Sequence, residues 1–109
     1  MRNVSGVAAE FRVADNPERK RYEVYVGTEL AGFTDYHVQP GLVTLLHTEI
    51  EPAFEGQGVG SRFVAGVLDD VRSRGVRVLP ICPFVRAFLR KNPEYDDLVW
   101  AGRGEEDQR

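Results

Sequence analysis

The apolar residues of this chain follow one rhythm before Pro52 and another after it. Four runs rich in β-branched and aromatic side chains come first: VAAEFRV (7–13), RYEVYV (21–26), LAGFTDYHV (30–38) and LVTLLHTEI (42–50). The turn-formers Asn16-Pro17, Gly27-Thr28 and Pro40-Gly41 separate them, as expected between strands. Links this short join antiparallel neighbours, so a four-strand meander is predicted. From Val59 onward the apolar positions are 59, 63, 64, 67, 68 and 71, a one-sided helical stripe. Asp69, Asp70, Arg72 and Arg74 take the other side, and Gly75 stands where a C-terminal cap belongs. VRVLPI (76–81) reads as a fifth strand interrupted by Pro80, and PFVRAFLRK (83–91) as a second helix. Pro83 suits the first turn of that helix, where a missing N–H costs nothing.

Strand 42–50, helix 59–74 and strand 76–81 make a β-α-β unit whose two strands run parallel. The expected fold is therefore α/β in the α+β sense: an antiparallel meander joined to one parallel crossover, with helices covering the sheet faces. A chain of 109 residues supplies one core. Residues 1–101 are expected to form that single domain. AGRGEEDQR, beyond Trp100, has no periodicity and reads as a loose charged tail over 102–109.

Composition narrows the partners. Hydrophobic content of 42% and charged content of 28% suit a soluble globular domain. No apolar run approaches a membrane span and no charged-then-greasy leader opens the chain, so a cytoplasmic location is the expectation. The net charge is -3 without a basic stripe, so neither nucleic acid nor membrane is an expected partner. Cys82 is the only cysteine, and His37 and His47 are the only histidines. No internal disulfide is possible, and a structural metal is not expected.

The turn between the fourth strand and the first helix carries the strongest chemical signal. In EPAFEGQGVGSRFVAGVL (51–68), Gly56, Gly58 and Gly60 alternate immediately before the helical stripe. A helix start presents N–H groups without internal partners and partial positive charge, and glycine removes the Cβ that would hold an anion away. The competing reading is a loop that needs glycine only for tight geometry. If a phosphate binds, a Walker loop is excluded because no lysine follows these glycines. A dinucleotide fingerprint is excluded because Ser61 follows the third glycine and four antiparallel strands precede the loop. The diphosphate of coenzyme A remains.

GQGVGSRFV resembles the diphosphate loop of the GNAT superfamily of acetyl-CoA-dependent N-acetyltransferases, and the order of elements agrees. LLHTEI, GQGVGSRFV and LPICPFVRAFLRKNPEY together are similar to its small single-domain YjdJ-type branch, over roughly residues 20–98. The resemblance implies a GNAT-like fold and acetyl-CoA (coenzyme A) as donor. It also implies an amine acceptor, on a small molecule or a protein, and a monomer or homodimer. Cofactor contacts would come from Gly56, Gln57, Gly58, Val59, Gly60 and Ser61, and from the backbone of Thr48 and Ile50 beside Pro80. The superfamily usually has Gln or Arg where this chain has Glu55. Main-chain N–H groups are therefore expected to make the contacts, with the Glu55 carboxylate turned to solvent. The short segment ADNPERKRYEV leaves no room for the helices that follow the first strand in larger members, which predicts an open acceptor side.

Acetyl transfer to an amine needs a base, because a free amine near pKa 10 costs about 4 kcal/mol to deprotonate at pH 7. His47 is the first candidate: it lies late in the strand feeding the loop and its type titrates near neutrality. Alternation places Leu45, His47 and Glu49 on one face and Leu46, Thr48 and Ile50 on the other. Glu49 is the competing base, too acidic unless desolvated. Cys82 ends the strand parallel to that of His47 and would cap the second helix, where thiolate is favoured; burial as a packing residue is the alternative. Two routes are open: direct attack with His47 as base, or an acetyl-Cys82 intermediate activated by His47. Tyr95 lies after the second helix and reads as a packing residue, and Phe84, Phe88 and Leu89 as seating that helix on the sheet. A domain that binds the coenzyme without catalysis is the alternative function.

Overall fold

A computed structural model describes residues 10–101. Its five strands are β1 (Phe11–Asn16), β2 (Arg21–Val26), β3 (Glu29–Gln39), β4 (Leu42–Ile50) and β5 (Arg77–Pro80), in the spatial order β1-β2-β3-β4-β5. The first four pair antiparallel, and β5 lies parallel to β4. Helix α1 (Val59–Ser73) makes the crossover between β4 and β5, and α2 (Pro83–Lys91) follows β5. Short 3-10 turns at Pro52–Phe54 and Pro93–Leu98 complete the chain. The mixed sheet expected from the sequence is thus observed. The anticipated tail, 102–109, lies outside the described residues, and so do residues 7–9 of the first anticipated strand.

That first strand runs later than its apolar run suggested. Asn16 ends it instead of interrupting it. The Asn16 side chain donates from Nδ2 to Glu23 (3.0 Å) and accepts the Arg19 N–H at Oδ1 (3.2 Å), while Lys20 turns left-handed at φ 57°. The turn therefore occupies 17–20. After Val78 the chain also returns at Val99, which makes a parallel bridge beside β5.

The α1 stripe is the core. Val59, Phe63, Val64, Val67, Leu68 and Val71 are all buried, in one cluster with Tyr22, Val24, Tyr36, Leu45 and Val78. Tyr22 donates its hydroxyl to Asp70 of α1 at 2.6 Å, so the side of β2 that carries Tyr22 faces the helix. Helix α2 lies beside α1 on that same side. Phe84 packs on Gly60, and Tyr95 donates to Asp69 at 2.9 Å while its ring meets that of Phe88 at a tilt of 46°. The helices therefore share one face of the sheet instead of dividing between two. Among the described residues, no helix covers the other face.

That bare face carries Arg21, Glu23, Tyr25, Phe33 and Asp35, the alternate residues of β2 and β3. Glu23 is only 5% exposed there. Arg21 Nε (2.8 Å), the Tyr25 hydroxyl (2.8 Å) and Asn16 Nδ2 (3.0 Å) all donate to it. Burial pushes its carboxyl up, but these donors outweigh burial and leave it below the ordinary carboxylate value. A depressed folded-state value means stability that is present above about pH 4.3, the unfolded value, and lost as pH falls through the lower folded value. Glu23→Gln should therefore flatten the acid limb: urea midpoints between pH 7 and pH 3 should fall less in the variant than in the parent. A parallel fall in both would remove this role from Glu23.

Candidate active site

Strand β4 changes phase halfway along. Tyr36 pairs with Leu45 and Asp35 with His47, which leaves Leu46 as an extra residue. Such a bulge re-aims the side chains beyond it. The expected grouping of Leu45 with His47 and Glu49 is therefore corrected. Leu45 is fully buried on the helical side, while His47 and Glu49 emerge on the bare face. There the His47 ring meets Phe33 edge-on at 6.3 Å, and its Nε2 lies 2.8 Å from Glu49 Oε2.

Thr48 points the other way and joins Leu45 under the helices. Its hydroxyl lies 2.9 Å from that of buried Thr34, whose strand partner Tyr22 faces α1. Cys82 donates its thiol to the same Thr48 oxygen at 3.2 Å. Cys82 does sit at the cap of α2, as expected, but is only 2% exposed. His47 and Cys82 thus occupy opposite faces of the sheet, each held by a different partner. The anticipated pairing in which His47 activates Cys82 is not the arrangement found.

The parallel ladder stops early. Its last rung joins Leu45 to Pro80, and the Leu45 carbonyl then accepts from both Ile81 (3.1 Å) and Cys82 (3.0 Å). Beyond that point β5 gives way to α2 and the two chains part. Glu51 donates to Ala31 at 2.8 Å, which fixes the phase of the β3–β4 ladder. By that phase His47 and Glu49 direct their main chain toward β3, whereas Thr48 and Ile50 direct theirs toward the gap. A cavity of about 580 Å³ fills the gap, running from Thr48, Glu49 and Ile50 past Phe54 and Gly56 to Gly60 and Phe84.

At its far end lies the start of α1. Gly56 and Gly58 are left-handed, with φ of 80° and 79°, and a Cβ at either would meet nothing within 4 Å. Gly58 is the N-cap, and the first intrahelical bond runs from Arg62 back to it. The N–H groups of Val59, Gly60 and Ser61 consequently project from the helix end, with no acidic residue in that turn. Gly60 is bare for a different reason: a Cβ there would come within 2.5 Å of the Phe84 ring. Gln57 spends its side chain on the Ala53 carbonyl (3.0 Å), and Val59 is buried, so both offer only main chain to a ligand. Glu55 is exposed at the rim. Ser61 borders a second, smaller hollow.

Two contributors were not singled out in the sequence for what they do. Phe84, expected to seat α2 on the sheet, is instead 42% exposed and walls the cavity, while Val85 and Leu89 take the buried positions on α2. Gly32 sits where a Cβ would lie 2.5 Å from the Glu49 carbonyl oxygen. A lone glycine inside a strand run is the available signal for such close backbone approach.

Known proteins resemble this chain in sequence and fold. The GCN5-related N-acetyl-transferase family matches residues 21–98. Protein NATD1 of Bos taurus is 30% identical over 57 residues, 52% of this chain and 50% of that protein, so the chain spans about half the length of this curated relative. A GCN5-like putative N-acetyltransferase from Staphylococcus aureus superposes with a TM-score of 0.61 at 19% identity, covering 86% of this chain and 90% of the other. The ribosomal-protein-S18-alanine N-acetyltransferase of Escherichia coli superposes with a TM-score of 0.53 at 22% identity, over 61% of this chain and 44% of the other. With the family match spanning β2 to β5, the glycine loop and both helices, this chain belongs to the GCN5-related N-acetyltransferases.

Proposed function

We propose that the protein transfers an acetyl group from acetyl-CoA to an amine carried by a small molecule or a protein. The observation that carries this reading is the parting of β4 from β5 after Leu45, beside a helix start stripped of side chains. The residues fit the coenzyme. Main-chain N–H groups of 59–61, reached over Gly56 and Gly58, would hold the diphosphate, and the outward backbone of Thr48 and Ile50 would hold the pantetheine amides. When bound, the coenzyme supplies an activated thioester carbonyl.

His47 acts as the base. With its Nε2–H given to Glu49, Nδ1 keeps the lone pair that takes the proton from the acceptor ammonium. Glu49 positions the ring and fixes this tautomer. Both stand on the bare face, the side from which an acceptor has access. Cys82, behind Thr48, supports the floor. Cys82→Ala should accordingly keep kcat within about three-fold, under about 1 kcal/mol of transition-state stabilisation. Recovery of an acetylated Cys82 peptide after incubation with acetyl-CoA would instead establish the covalent route.

The defining experiment is thermal unfolding with acetyl-CoA, coenzyme A and NAD in parallel, followed by acetyl consumption over a panel of amines. A ligand at 100 times its Kd adds about 2.7 kcal/mol, so both coenzyme forms should raise Tm and NAD should not. Stabilisation without consumption across the panel would favour a coenzyme-sensing module, and no stabilisation would remove the donor itself.

A further inference from the structure

His47 stands where two unlike surfaces of the bare face meet. On the β3 side its strand partner is the half-buried Asp35, whose own neighbour on β2 is Arg21. Arg21 is committed elsewhere: its Nε donates to Glu23, and its guanidinium lies over the Phe33 ring at 4.6 Å. Glu23 has three donors of its own, and Glu49 holds the imidazole. Of these three neighbouring carboxylates, Asp35 alone has no hydrogen-bond or ion-pair partner among the described residues. On the β5 side the surface is aliphatic. Alternation from buried Leu45 turns Leu46 to the bare face, and the bulge brings His47 out beside it. Pro80 borders α2 together with Arg86 and Leu89, so Ile81 turns away from the helices. Leu46 and Ile81 are 43% and 48% exposed, and each is the first residue beyond the last parallel rung.

We propose that the acceptor is a primary monoamine with an apolar body: Asp35 draws its ammonium to His47, and Leu46 and Ile81 seat its carbon chain. This rests on the function proposed above. A strand spacing of about 5 Å separates the two aliphatic side chains, a span that a hexyl or phenylethyl group covers. A second ammonium at the far end of the acceptor would find no counter-charge. Residues 36–39 of β3, 42–44 of β4 and the whole of β5 carry no carboxylate, but they include His37 and Arg77. In the transfer the ammonium gives one proton to His47, the nitrogen bonds to the acetyl carbonyl carbon, and the C–S bond breaks. The second N–H proton leaves with the sulfur as thiol. The amide product is uncharged, so Asp35 loses its hold on it and favours fresh substrate.

Steady-state acetylation of hexylamine, ethylamine, 1,6-diaminohexane and a lysine peptide tests the assignment. Hexylamine should exceed ethylamine in kcat/KM by about ten-fold, as expected for several methylenes partly removed from water. The diamine presents the same reactive end but would set a charge on the aliphatic surface, and it should fall about ten-fold below hexylamine. Ile81→Ser and Leu46→Ser should each reduce the hexylamine-to-ethylamine ratio to about three-fold; Ile81 lies outside the bulge, so its variant reads the contact without disturbing β4. Asp35→Asn should raise KM about ten-fold for all the amines while kcat stays within about three-fold, the mark of a group that binds without acting on the reacting bond. Asp35→Glu should recover most of that loss. Preference for the diamine or the peptide over hexylamine, or a ratio that neither serine substitution moves, overturns the assignment while leaving acetyl transfer intact. Turnover of none of the amines, with acetyl-CoA still bound, overturns the assignment and the proposed function together.

Discussion

His47→Ala should lower kcat by about 10²- to 10⁴-fold while leaving acetyl-CoA affinity within about two-fold. The imidazole is 57% exposed, so its removal makes no cavity and the fold should survive. What disappears is the group proposed to take the ammonium proton. The variant should therefore regain rate as pH rises toward the pKa of the acceptor amine, near 10, because solvent then does the deprotonation. Glu49→Gln should be milder, since an amide oxygen can still accept the Nε2–H and hold the ring. Steady-state rates from pH 6 to 10 check both. An undiminished kcat in His47→Ala would take the base role away from this residue.

Gly32→Val should cost about 2–4 kcal/mol of stability, among the largest effects of any single substitution outside the helical core. An added Cβ would lie 2.5 Å from the Glu49 carbonyl oxygen and 3.2 Å from Ile50 Cα. Both are main-chain atoms, so no side chain can swing aside; β3 and β4 must separate. That movement displaces the stretch that lines the cavity, and weaker coenzyme binding should accompany the lower urea midpoint. Gly32→Ala should act in the same direction to a smaller degree. A Gly32→Ala midpoint equal to that of the parent would show that the two strands tolerate the separation.

The sequence was most informative where one physical cause acts alone. The α1 stripe needed only helical periodicity, and all six of its residues are buried as the spacing requires. Pro80 marked the end of the parallel ladder because a residue without an N–H cannot extend it. The difficulties arose where side chains or distant segments decide. Nothing local distinguishes Leu46 as an extra residue, since LVTLLHTEI supports either phase until β3 is aligned against it. Likewise, three similar glycines hide two reasons: Gly56 and Gly58 adopt left-handed backbone, whereas Gly60 makes room for a ring from a helix that begins more than twenty residues later. The strand end at Asn16 was obscured by its hydrogen bond to Glu23, a contact that only pairing with β2 creates.

The unmatched residue in β4 also separates two kinds of constraint within nine consecutive positions. Up to Leu45 the strand is bound to the oily interior, and any change of size there is felt by α1. From His47 onward the odd-numbered positions have been rotated outward, free to carry ionisable groups without charging the interior. Excising Leu46 would restore strict alternation and drive the imidazole beneath the helices, with the threonine that holds the thiol swung out into water. A single surplus amino acid thus decides which side of the sheet can handle protons.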